Sequence, residues 1–308
     1  MTKLIYNNYL KVRDFNIDEE YYKLFKDKET QFEELKTKSP YDILFSDIEF
    51  KDIIFFDKLI IQTIESRINI QSHITPSLRE DIRVELQRIF NYEGYNQSKK
   101  ITPFFTNNFN FRTCFYCNKD FINNFEENTD KLVSTFQLDH FYDKGTYPYL
   151  ALSFYNFIPS CPTCNSSKVK GTQNCFGTCI APNDKNFDFE NKVKFKLFLD
   201  TKCKNLHIKD KDDIDIPLKE QFTDEYDKYI EVFKLNERYK AHKDIVYEMI
   251  TKAELYPESR LKELQDLTGV PFQQIKKDIF NLIDENDDLS KKPFSKLIKD
   301  ISEELGLL

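Results

Sequence analysis

Four cysteines in two matched pairs, Cys114/Cys117 and Cys161/Cys164, constrain this chain more than any other feature. Cys-x-x-Cys spacing lets one tight turn offer two thiolates to a single ion, and two such turns complete the tetrahedral sulfur set that Zn²⁺ prefers. Four unrelated buried thiols are the plain alternative, because free cysteine is a common core residue. Two matched pairs flanking a polar stretch favour a structural zinc. Phe115 and Tyr116 lie inside the first pair, as suits a knuckle between short strands. The second pair leads into Asn165-Ser166-Ser167-Lys168-Val169-Lys170, where the sequence predicts a short helix stopped by Gly171.

Between the pairs stand Asp139, His140 and Asn156. A histidine of ordinary pKa about 6.5 is largely neutral at pH 7 and can take a proton from water. Asp139 is a hard oxygen donor suited to Mg²⁺ or Mn²⁺, and Asn165 adds a second oxygen if the predicted helix turns it inward. Asn165 and Lys168, three apart, would share a face of that helix near an N-terminus that favours anions. Lys170 and, in the loop after His140, Lys144 are further candidates for substrate phosphate. The combination predicts metal-assisted phosphodiester hydrolysis, with His140 activating water.

The segment CFYCNKDF…FQLDHFYDKGTYPYLALSFYNFIPSCPTCNSSKVKG resembles the HNH endonucleases, of the ββα-metal, treble-clef type. The resemblance implies that His140 is the general base, that Asp139 and Asn165 hold the catalytic metal, and that Asn156 fixes the intervening loop through backbone hydrogen bonds. The loop departs from the family's common Gly-Gly turn, reading Asp143-Lys144-Gly145-Thr146-Tyr147-Pro148. More narrowly, LDHFYDKGTYPYLALSFYNFIPSCPTCNSSK, with LNERYKAHKDIV and KKPFSKLIKD downstream, is similar to nucleases of bacterial antiphage operons such as Septu and some retron systems. That likeness implies a defence effector working with a partner ATPase. DNA is the favoured substrate. RNA, tRNA included, is the close rival, because such a site reads phosphodiester geometry and not the sugar. A zinc module that binds nucleic acid or protein without cutting would need the cysteines but not Asp139, His140 and Asn165 together.

Charge weighs against strong unaided nucleic-acid binding. The net charge is −7, and residues 101–175 balance six basic side chains (Arg112, Lys119, Lys131, Lys144, Lys168, Lys170) against six acidic ones. A partner or a local patch is therefore expected to supply affinity. The first residues lack a signal-peptide pattern, no apolar run reaches membrane-span length, and the cysteines are grouped for metal, so a cytoplasmic chain is predicted.

The expected fold is α+β and mostly helical, with a central zinc-stapled ββα-metal core and a β-hairpin between helical regions. Residues 1–100 read as a helical scaffold or docking region, 101–175 as the HNH core, 176–216 as a loop insertion with the hairpin, and 217–308 as helical. Helices are predicted from Asn16, across Ser46–Glu65 as one element, and from Ser77 as cap. Alternation in Val193–Leu199 and Asn205–Lys209 predicts the two hairpin strands, with Lys192, Lys194 and Lys196 on the open face. Cys175 and Cys179, with Cys203 and His207, are a candidate for a second metal site, with loop cysteines packed on the core as the alternative. His73 reads as a surface histidine, and Arg238 with His242 as a polar pair on one helix.

Overall fold

The computed structural model describes the chain except residues 72–73, 130, 201–207 and 285–286. Helices dominate, with small antiparallel sheets between them, giving an α+β fold. β1 (Asn124–Asn128) and β2 (Lys131–Ser134) form one hairpin. β3 (Gln137–His140) pairs antiparallel with β4 (Phe157–Ser160), placing Asp139 opposite Ile158 and His140 opposite Phe157. β5 (Val193–Phe195), β6 (Phe198–Leu199), β7 (Ile214–Asp215) and β8 (Leu218–Glu220) pair as β5 with β8 and β6 with β7. Val193–Leu199 thus pairs with residues 214–220; of the expected partner Asn205–Lys209, residues 205–207 lie outside the described residues. Alternation marks a half-buried strand without saying which later segment meets it.

Before this core run helices at Ile17–Lys23, Lys26–Lys36, Phe50–Ile54, Lys58–Ile70 and Pro76–Ile89. Asn16 caps the first, accepting from the Glu19 amide at 3.1 Å. The predicted single helix across Ser46–Glu65 is instead two, because the Asp57 side chain accepts from the Leu59 amide at 3.1 Å and starts a new helix. The next is capped by Thr75 rather than Ser77. Thr75 Oγ1 accepts from the Leu78 amide at 3.2 Å, and Pro76 takes the first helical position, where its missing N–H costs nothing.

One hydrophobic cluster runs from Met1 through the cysteine segment to Ile301, so the expected regions share a core. Phe105, Phe154, Phe109 and Tyr21 interlock in it through stacked and edge contacts. Polar ties add direction. Tyr21 Oη donates to the Leu152 carbonyl at 2.9 Å and Ser153 Oγ to the Ile53 carbonyl at 2.5 Å, clamping the N-terminal helices onto the loop that follows His140. A smaller cluster of Leu261, Ile275, Phe280 and Leu307 joins Glu258–Thr268 to Phe272–Phe280. Among the described residues no helix is long and apolar enough to cross a membrane.

Candidate metal centre and adjoining cleft

All four cysteines of the matched pairs are buried, and their sulfurs lie within 4.8 Å of one another. Cys117 Sγ and Cys161 Sγ are 3.9 Å apart. A tetrahedral zinc with Zn–S bonds of about 2.3 Å requires sulfurs about 3.8 Å apart, so the set fits the ion. The two turns are held in different ways. After Cys117 the chain reverses through Asn118 at φ 51°, and the Asn118 amide side chain donates to the Leu289 carbonyl at 2.8 Å and accepts from the Lys296 amide at 3.0 Å. In the second turn, Pro162 opens a one-turn helix and the Cys164 amide donates to Cys161 Sγ at 3.4 Å. Arg238 Nη1 donates to Cys164 Sγ at 3.1 Å, its charge offsetting that of a thiolate set. The residues would hold zinc as a structural staple.

His140 ends β3 and is 8% exposed. Its Nε2 lies 3.0 Å from the Ala151 carbonyl, which can only accept, so Nε2 carries the proton and Nδ1 is the basic nitrogen. Tyr92 meets the imidazole edge-on at 4.6 Å, and Phe157 lies at 4.8 Å. Burial pulls its pKa from 6.5 down to about 4, holding the ring neutral at pH 7. Asn156, fully buried, closes the loop behind it. Its Oδ1 accepts from the Tyr142 amide at 2.8 Å, while Nδ2 donates to the carbonyls of Tyr142 at 3.0 Å and Leu150 at 3.2 Å.

A cleft of about 660 Å³ opens at this point, lined by Tyr92, Gln97, Asp139, His140, Lys144 and Asn165 among others. Asn165 ends its helix half-buried, with Nδ2 donating to Gln137 Oε1 at 2.9 Å. The helix spans only Pro162–Asn165, so Asn165 and Lys168 do not share a helical face; Lys168 sits exposed in the turn that follows. That turn closes at Gly171, φ 51°, where a Cβ would come within 2.9 Å of Ser167 Cα. Lys144 reaches the cleft but pairs with Glu93 at 2.8 Å.

Two expectations are corrected by these contacts. The Lys170 side chain is 0% exposed, with Nζ 3.0 Å from Asp139 Oδ2 and donating to the His140 carbonyl at 2.7 Å, so it cannot meet a phosphate. Asp139 in turn accepts from Tyr116 Oη at 2.5 Å on Oδ2 and from Lys170 on both oxygens. A divalent cation shared by Asp139 and Asn165 does not fit this arrangement. The carboxylate already has its cation, and a second would sit beside a buried ammonium in surroundings that screen poorly.

Elsewhere, Lys192 pairs with Glu225, Lys194 with Glu303 at 3.2 Å and Lys196 with Glu304 at 2.6 Å, so the lysine row is engaged by acids. Arg238 faces the cysteines, and His242, expected to pair with it, packs instead on Phe294 at 4.7 Å. Cys175 and Cys179 are buried outside the sulfur cluster, which is the one metal-competent group among the described residues; Cys203, His207 and His73 lie outside those residues. Sequence reasoning misses Tyr116, Asn118 and Tyr92 as residues of the site. Only Asn118 carries a local signal, as a residue type tolerant of positive φ directly after a cysteine pair. No family model matches the chain, no curated protein matches it, and no solved structure matches it.

Proposed function

We propose that this chain is an endonuclease of the HNH kind that hydrolyses phosphodiester bonds, with DNA favoured over RNA. The observation that carries the reading is His140: a neutral imidazole with its tautomer set by the Ala151 carbonyl, at the wall of a cleft beside the four-cysteine site. In the proposed reaction Nδ1 takes a proton from water, the water oxygen bonds to phosphorus, and the P–O bond to the leaving alkoxide breaks. Tyr92 and Phe157 hold the ring in plane for that transfer. An effector role in antiphage defence beside a partner ATPase belongs to the same proposal and rests on the sequence resemblance. The cleft's lysine, Lys144, is held by Glu93, which favours a partner that supplies affinity. The same pairing is the observation in favour of a non-cutting zinc module as the second reading.

The test is cleavage of plasmid DNA, single-stranded DNA and total tRNA with Mg²⁺ or Mn²⁺ and an EDTA control, comparing wild type with His140→Ala. Cleavage is expected to fall by about 10²–10⁴-fold in the variant while zinc content stays the same. Equal cutting by the variant would remove His140 from the mechanism.

A further inference from the structure

We propose that Lys170 is a positioning residue that ties His140 to the four-cysteine site, with Asp139 as the counter-ion of that tie and not a cation ligand. The proposal rests on reading His140 as the general base. An ammonium has three donors, and those of Lys170 are spent on two consecutive residues of β3: Asp139 Oδ1 at 3.2 Å and Oδ2 at 3.0 Å, and the His140 carbonyl at 2.7 Å. The Lys170 backbone amide donates to the Cys164 carbonyl at 3.2 Å, so the lysine is rooted in the second cysteine turn.

The first turn reaches the same carboxylate. Tyr116 lies between Cys114 and Cys117, its ring stacks on Phe233 at 4.1 Å, and its hydroxyl donates to Asp139 Oδ2 at 2.5 Å. One side chain from each cysteine segment therefore reaches Asp139. The strand end is held at the His140 carbonyl from one side, and its ring is held at Nε2 by Ala151 from the other. A carboxylate 3% exposed requires a counter-charge. The neighbouring lysines do not supply it, because Lys168 is exposed and Lys144 pairs with Glu93.

The experiment compares wild type, Lys170→Met, and the double variant D139N/K170M, which removes both charges and so avoids stranding one of them. Zinc content, imidazole ¹H–¹⁵N spectra and steady-state kinetics are measured on the full chain, with the His140 signals assigned by their loss in His140→Ala. The variants are expected to keep their zinc, to show His140 signals shifted and broadened away from the single Nε2–H tautomer, and to lose about 100-fold in kcat with KM nearly unchanged. If Lys170→Met does not fold, the double variant decides. His140 signals superimposable on wild type in the double variant would overturn the proposal. Failure of wild type to cut any of the nucleic acids would instead sink the nuclease reading, and the spectra would still decide whether Lys170 positions the ring.

Discussion

Lys170–Asp139 and Lys296–Asp300 are both enclosed lysine–aspartate pairs, with side chains 0% and 4% exposed in the first and 0% in the second. Lys296 and Asp300 lie one turn apart in the helix Ser295–Glu304, 2.7 Å from each other. Their other partners are Lys194, whose Nζ lies 3.4 Å from Asp300 Oδ1, and scaffold groups: Lys296 Nζ donates to the Glu190 carbonyl at 2.9 Å, and Asp300 Oδ2 accepts from the Phe195 amide at 2.8 Å. Lys170 and Asp139 are 31 residues apart and join the cysteine turns to the strand that carries His140. Burial raises both carboxyl pKa values above the ordinary range, outweighing the attraction of the lysines. Replacing a buried ion pair by apolar groups of similar volume is often neutral or stabilising, whereas removing one partner is not. What separates them is what each touches: a helix and a strand in one case, the backbone of His140 in the other.

The largest effect expected is that of Cys161→Ser. Structural zinc contributes apparent binding energies of about 10–16 kcal/mol, comparable to the whole stability of a domain. The variant should lose zinc and most of its folded population, whereas Lys296→Met should keep its zinc; metal analysis with thermal unfolding checks both. A metal-free Cys161→Ser protein as stable as wild type would leave the cysteines without a structural role.

Next in size, Lys170→Met strands a buried carboxylate and should cost about 3–5 kcal/mol by urea unfolding, whereas Lys296→Met leaves Asp300 paired with Lys194 and should cost less. The comparison predicts a loss of stability in both variants but displaced His140 signals in Lys170→Met alone. Displacement in both would mean that the two pairs are equivalent props of one core.

The smallest effect is with acid. Both carboxyls shift the same way, so acid does not distinguish the pairs, but His140 does. Its folded pKa of about 4 lies below the ordinary 6.5, so the unfolded chain takes up the proton first as pH falls. Its contribution is complete above about pH 6.5 and is lost on falling through about pH 4, roughly 3 kcal/mol in all. His140→Phe should flatten that acid limb in urea midpoints measured from pH 7.5 to 4.5, on the scale of about 1 kcal/mol per pH unit.

Much of this is legible in the chain because the signals are local. Cys-x-x-Cys spacing names the four sulfurs that meet, and Asn16 caps the helix it is expected to start. Where two local signals compete, the hydrogen bond that forms decides: Asp57 splits the expected Ser46–Glu65 helix, and Thr75 displaces Ser77 as cap. The strand partner of Val193–Leu199 is not legible, since alternation is silent about register and partner.

Residues within a few positions of one another suffice for each cysteine pair, for the mostly helical α+β class and for a histidine beside a carboxylate, so these are written in the chain itself. What that carboxylate does is settled by the fold. Asp139 has the chemistry of a cation ligand, but Lys170 and Tyr116 reach it from both cysteine turns and bury it. A side chain's charge belongs to its residue type; whether that charge is free depends on neighbours, distant in sequence, that folding brings within 3.0 Å.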